Sequence, residues 1–207
     1  MSCTQKYIYR SIYTELCTQN YVHIKMFTVI VITMPTPIVD EGKQIAKILS
    51  REDVGIVHIR KPGYSLEEME NLILSIDKKY YSRIVLHDHF QLAVKYNLYG
   101  VHINSRNPFP PDNWKGSISR SCHCISEVKE CKGNYNYVSL SPVFNSISKK
   151  GYCAAFSEDE IVAARAKGII DKKVFALGGI RFALLDKIKS MGFGGAMILG
   201  DAWGISQ

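Results

Sequence analysis

The chain of 207 residues lacks any apolar run close to the roughly 20 residues that a bilayer-spanning helix needs. Its first residues also lack the continuous apolar core of a secretory signal. Six cysteines are present, Cys3, Cys17, Cys122, Cys124, Cys131 and Cys153, but no C-x-x-C pair, which argues against a structural zinc site. They are too few and too widely spread for a disulfide scaffold, so a reducing, cytoplasmic setting is expected. No basic block interleaves with aromatic residues, which argues against nucleic-acid binding. No repeat of solenoid length occurs. Glycine is missing from Thr33–Pro37, after the first apolar run, where a dinucleotide-binding turn would carry its glycines.

Apolar residues make up 46% of the chain and charged residues 22%, the balance of an ordinary globular domain. The formal net charge is +7, with Lys and Arg dispersed along the sequence. Dispersed positive charge fits a soluble surface around a pocket for a small anion. Residues 1–26 differ in composition from the rest and are read as an N-terminal extension outside the fold. Met26 precedes the first clear strand, and the domain is assigned to residues 27–207.

From Phe27 onward, short apolar runs alternate with amphipathic stretches. Strands are expected at Phe27–Thr33, Val54–Ile59, Arg83–Leu86, Gly100–Ile103, Ser117–Cys122, Tyr137–Ser141, Lys173–Leu177 and Gly195–Leu199. Helices are expected at Asp40–Ser50, Leu66–Lys78, Phe90–Tyr96, Ser126–Cys131, Glu158–Lys167 and Phe182–Met191. Eight β/α units without a linker imply an α/β fold, a closed (β/α)8 TIM barrel.

In such barrels the chemistry lies at the C-terminal strand ends. Strand side chains alternate between faces, so His58 and Arg60 share the barrel face of the second strand. His102 and Asn104 do the same on the fourth. Ser121 and His123 share a face on the fifth, and His87 and Asp88 close the third. Five of the six histidines, His58, His87, His89, His102 and His123, fall at strand ends. A catalytic metal held by such imidazoles is one reading, with His87-Asp88-His89 its local core. At the other side of the mouth, Gly178 and Gly179 follow the seventh strand and Gly200 follows the eighth. Glycines there let backbone amides approach a phosphate. The long loop after the sixth strand offers Lys149 and Lys150 as mobile cations.

Taken in order, His58-Ile59-Arg60-Lys61, Leu86-His87-Asp88, Gly100-Val101-His102-Ile103, Arg120-Ser121-Cys122-His123, Ser141-Pro142-Val143-Phe144 with Lys149, and Leu177-Gly178-Gly179-Ile180 resemble the thiamine phosphate synthase and thiazole tautomerase superfamily. The resemblance implies an enzyme of thiamine (vitamin B1) biosynthesis. For a synthase it implies that Arg60 holds diphosphate, Asp88 binds Mg2+, Ser121 and Lys149 contact phosphate oxygens, and Gly178 and Gly179 cradle a thiazole phosphate. The sequence departs from that pattern at His58 (for Gln), Pro62 (for Lys, with Lys61 as the adjacent substitute), His87 (for Asn) and Asn107 (for a second metal-binding Asp). The tautomerase branch, TenI-type, resembles the chain at His-Ile-Arg and Arg-Ser-x-His. It implies His123 as the acid/base, no cofactor, and His58, Arg60, His87, Ser121 and Lys149 around a small phosphorylated thiazole. The expected function is therefore tautomerase-like. The alternatives are the synthase, with pyrimidine diphosphate as second substrate and Mg2+ as cofactor, and a non-catalytic phosphate-binding regulatory barrel. A homodimer is left open. Neither nucleic acid nor membrane is expected as a partner.

Overall fold

The computed structural model describes residues 27–145 and 155–204. The expected extension 1–26 and Lys149 and Lys150 lie outside the described residues. Eight parallel strands close into a barrel in sequence order. They are β1 (Thr28–Ile32), β2 (Val54–Ile59), β3 (Ile84–Leu86), β4 (Gly100–Ile103), β5 (Ser117–Cys122), β6 (Tyr137–Leu140), β7 (Val174–Leu177) and β8 (Gly195–Ile198). The seam pairs Thr28 with Gly195 and Val31 with Ile198. Helices α1 (Glu41–Leu49), α2 (Leu66–Leu74), α3 (Phe90–Lys95), α4 (Ile125–Cys131), α5 (Glu158–Ala166) and α6 (Leu185–Ser190) cover its outside.

Period-two alternation builds two cores. Val29, Val31, Val57 and Ile59 face outward and join Ile45, Leu49, Met69 and Ile73 from the helices. The intervening residues face the axis, where Ile30, Ile32, Ile56, Val85, Tyr137, Phe175 and Met197 pack together. No helix of the described residues is long and apolar enough to cross a membrane.

The strands match their sequence expectations to within a residue or two, and the helices differ at instructive places. The helix expected over Leu66–Lys78 stops at Leu74, because the Asp77 carboxylate accepts the Lys79 amide at 3.1 Å and opens a separate 3-10 turn, Lys78–Arg83. Ser65 and Ser157 start α2 and α5 with reciprocal capping boxes to Glu68 and Glu160. Between β4 and β5 the chain carries Pro108, Pro110 and Pro111 and forms no helix; proline lacks the amide that a helix interior requires.

Lys61 departs from its expected place. It was the sequence substitute for a diphosphate-binding lysine, yet its side chain is fully buried away from the mouth. Its Nζ lies 2.7 Å from Glu41 Oε1 and donates to the Thr36 carbonyl at 2.6 Å. It thus ties the loop after β1 to α1. Removing one partner strands the other charge in the interior. Lys61→Met is expected to cost about 3–5 kcal/mol in urea unfolding, and Glu41→Leu added to it to recover most of that loss. A single-variant loss below about 1 kcal/mol would contradict this role for the pair.

Candidate functional site

The floor of the barrel mouth is polar because inward strand positions carry imidazoles and hydroxyls. His58 on β2 is fully buried, with its Nδ1 2.9 Å from His87 Nε2 and its Nε2 2.6 Å from the Tyr137 hydroxyl. His102 on β4 lies between two hydroxyls of β5, Ser119 at 2.9 Å from Nδ1 and Ser121 at 3.0 Å from Nε2. Ser139 on β6 donates to Ser121 at 3.1 Å. His87 stacks on His102 with ring centroids 4.2 Å apart and planes inclined by 19°. Burial, followed by the field of His102, drives the His58 pKa well below the ordinary imidazole value. His87 is driven down in the same way, with smaller contributions from its neighbouring imidazoles and from Arg60 and Arg106. His102 is lowered to about 3, first by burial and then by Arg60. All three rings are therefore neutral at neutral pH.

Among the described residues these three histidines are the group whose ligand atoms approach one another, all within 4.8 Å. Their geometry suits mutual hydrogen bonding better than metal binding. Both ring nitrogens of His58 and both of His102 already have partners. The stacked rings of His87 and His102 direct their in-plane lone pairs side by side, whereas a first-row metal needs them convergent at about 2 Å.

Above the floor a cavity of about 750 Å³ opens at the C-terminal end of the barrel. Arg60, Arg106, Arg120 and Arg181 line it. Thr33, buried at the end of β1, accepts the Arg60 amide at 2.9 Å and fixes that residue's backbone. Arg120 is hydrogen-bonded to Tyr135. Arg106 grips Asp88 with two donors, Nε to Oδ1 at 3.0 Å and Nη2 to Oδ2 at 3.1 Å. Asn107 adds a third donor to Asp88 Oδ1 at 2.9 Å. Asn104 holds this corner: its amide donates to the His87 carbonyl at 2.6 Å and its oxygen accepts the Arg106 and Asn107 amides.

On the loop that also carries Arg181, Gly178 (φ +93°) and Gly179 (φ +66°) turn the chain after β7 in the left-handed region. A Cβ on Gly179 would collide with the Phe144 and Asn145 carbonyl oxygens. Only glycine carries the backbone through this point without strain. Gly200 opens the 3-10 turn Gly200–Trp203 after β8 and also lines the cavity, and Asp201 accepts the Phe182 amide at 2.8 Å.

The structure thus brings Arg60, His87, Ser121, His123, Gly178, Gly179 and Gly200 to one cavity. His58 lies beneath its floor, touching the mouth through His87. The local trio His87-Asp88-His89 does not assemble. His89 adopts φ +54° at the start of α3 and its Nε2 meets the Tyr64 carbonyl at 2.8 Å, while Asp88 turns to Arg106. His123 stands exposed just past β5, its backbone amide donating to Glu127 at 2.5 Å, while Ser121 on the same strand turns to His102 and Ser139. The sequence reading passed over Arg106, Arg181 and Tyr137. Tyr137 was findable, since it shares the inward face of β6 with Ser139. The two arginines sit on loops, where no periodicity announces orientation.

A family model described as thiamine monophosphate synthase matches residues 29–200. The chain belongs to the thiamine monophosphate synthase family. It is 41% identical to the thiamine phosphate pyrophosphorylase of Bacteroides thetaiotaomicron, whose crystal structure superposes with a TM-score of 0.78 over 87% of each chain. It is 28% identical over 184 residues to the thiamine-phosphate synthase of Parasynechococcus marenigrum (strain WH8102), covering 84% of this chain and 50% of that protein. The chain thus spans about half the length of that relative. With the Serratia proteamaculans (strain 568) thiamine-phosphate synthase it shares 25% identity over 176 residues, 79% of this chain and 80% of that one. The barrel of thiamine phosphate pyrophosphorylase from Pyrococcus furiosus, at 15% identity and a TM-score of 0.67, shares the fold.

Within this family member the three buried imidazoles set an acid limit on stability. Their folded pKa values lie below the ordinary value of about 6.5 at which the unfolded chain takes up protons. Their stabilising contribution is complete above that pH and declines as pH falls toward the folded values. Unfolding free energy measured in urea between pH 7 and 5 is expected to fall with a slope approaching about three protons, and His102→Gln to remove about one. An unchanged slope in the variant would show that His102 is already protonated in the fold.

Proposed function

We propose that this chain is a thiamine phosphate synthase, joining a pyrimidine diphosphate to a thiazole phosphate with release of diphosphate. The comparisons favour this reading over the tautomerase expected from the sequence, since the relatives described above carry the name of the synthase or pyrophosphorylase. The observation that carries it is the lining of the cavity. Arg60, Arg106, Arg120 and Arg181, from four different strand ends, share it with the glycine turn after β7 and with Gly200, and it has space for two small substrates.

The chemistry follows from that lining. The bond between the pyrimidine methylene and the diphosphate oxygen breaks, and the electron pair leaves with diphosphate. The thiazole nitrogen then donates its lone pair to the resulting carbon cation, forming the new C–N bond. Arg60 and Arg120 stabilise negative charge as it grows on the departing oxygens. The backbone amides near Gly178, Gly179 and Gly200 receive the thiazole phosphate, and Ser121 contacts a phosphate oxygen. The neutral floor of His58, His87 and His102 adds no positive charge beneath the developing cation.

The family resemblance implies Mg2+, and the donors present do not fit it. Mg2+ takes oxygen ligands in near-octahedral array, chiefly carboxylates and water. Both oxygens of Asp88 are held by Arg106, and Asn107 offers this position an N–H rather than an oxygen.

Purified protein given both substrates is expected to form thiamine phosphate; none, beside a working control enzyme, would overturn the reading. Isomerisation of a carboxythiazole phosphate, abolished by His123→Ala, would instead favour the tautomerase, and phosphate binding without turnover the regulatory barrel. Gly179→Ala places a Cβ in the left-handed region at about 1–2 kcal/mol. It is expected to raise KM for the thiazole phosphate about tenfold or more, with a smaller effect on KM for the pyrimidine diphosphate. Equal effects on both would remove the glycine turn from the thiazole site.

A further inference from the structure

We propose that the Arg106 guanidinium takes the place of a divalent cation in this mouth, so that the chain binds diphosphate without Mg2+. The inference rests on the synthase reading of the site and concerns how its anion is held.

Asp88 is held at both oxygens by Arg106 and at one by Asn107. The carboxylates that line the cavity, Glu127 and Asp201, each accept a backbone amide through one oxygen, from His123 and Phe182 respectively. Donors, not acceptors, point at the spot beside Asp88. Asn107 Nδ2 is shared between Asp88 Oδ1 and the His87 carbonyl at 3.2 Å, and Asn104 Nδ2 also reaches that carbonyl. A small hydrated cation would have to displace a two-point guanidinium grip and then meet amide hydrogens.

Arg106 also has donors to spare. A guanidinium carries five N–H groups in a fixed plane. The Asp88 grip uses Nε and one hydrogen of Nη2, which leaves Nη1 and the second Nη2 hydrogen. The residue lines the cavity with its side chain 46% exposed, whereas Asp88 behind it is 11% exposed. The remaining donors form an edge suited to the paired oxygens of a phosphoryl group. Asp88 thus serves as a positioning residue that holds the guanidinium plane, and Asn104 and Asn107 brace the loop that carries it.

Titration calorimetry with inorganic diphosphate tests this directly, on the full chain. Affinity in excess EDTA is expected to match that in Mg2+ within about twofold, since the arginines supply the charge. Arg106→Ala is expected to weaken binding about tenfold in EDTA. That variant frees Asp88, so Mg2+ should restore much of the loss, and the added substitution Asp88→Asn should abolish the restoration. Arg181→Ala, which removes another mouth cation without freeing a carboxylate, should weaken binding with no gain from Mg2+. Arg106→Lys keeps the charge but loses the planar grip, and an intermediate affinity would show that the alanine variant is not simply misfolded. Loss of wild-type binding on chelation, or an Arg106→Ala variant indifferent to Mg2+, overturns the proposal. The two readings fail separately. Metal-independent diphosphate binding without any thiamine phosphate formed removes the synthase reading and keeps the arginine assignment, and thiamine phosphate formed only with Mg2+ does the reverse.

Discussion

A closed parallel barrel has no wet interior, and that constraint organises everything at this mouth. Alternate residues of every strand must face the axis. On β2, β4, β5 and β6 those residues include His58, His102, Ser119, Ser121, Tyr137 and Ser139. A buried polar group without a partner costs several times what an ordinary hydrogen bond contributes. The side chains therefore satisfy one another, across the barrel interior for His58 with Tyr137 and between adjacent strand ends for His58 with His87 and His102 with Ser119 and Ser121. The result is a cross-braced polar layer between the apolar plug below and the cavity above. Rim residues inherit their positions from it, since His87 rests on His102 and the Asn104 amide reads the His87 carbonyl.

Much of this was legible in the sequence, for a physical reason. Alternation and eight-fold repetition are local properties, and they gave the barrel, its strand limits and the inward face of each strand. Gly178, Gly179 and Gly200 were legible because their positions after β7 and β8 follow from counting strands. What the sequence does not show is the particular partner that each side chain near the mouth takes. Lys61 follows Arg60 and reads as one more basic residue, but the buried Glu41 on α1 claims it. His89 sits beside Asp88 on paper, yet a left-handed backbone at its position swings it to Tyr64. Asp88 reads as an open carboxylate, but Arg106 holds both its oxygens. Arg106 and Arg181 lie on loops without periodicity, and only the fold brings them over the same cavity.

The same partners give the departures from the family pattern a context that comparing residues one at a time does not supply. A substitution such as Asn for Asp at position 107 is a loss of charge when read alone. In the structure it belongs to a matched set, since Asn107, Asn104 and Arg106 all address the Asp88 and His87 corner. A second carboxylate in that corner would leave Arg106 shared between two acids. The amide in its place donates instead, leaving one guanidinium matched to one carboxylate.

Electrostatics then links floor and rim. Each buried imidazole could in principle carry a proton, and three imidazolium rings beneath four arginines would concentrate repulsion in one small volume. Burial prevents this by holding all three neutral, and Arg60 itself helps to lower His102. The coupling runs both ways. With His102 held neutral by burial, helped by Arg60, that guanidinium has no second cation below it. Replacing the imidazoles with purely apolar residues would also keep the floor uncharged, but the Ser119, Ser121 and Tyr137 hydroxyls would then lose their partners. Histidine meets both requirements at once: it is polar enough to satisfy buried hydroxyls, and its pKa is low enough that desolvation alone removes its charge.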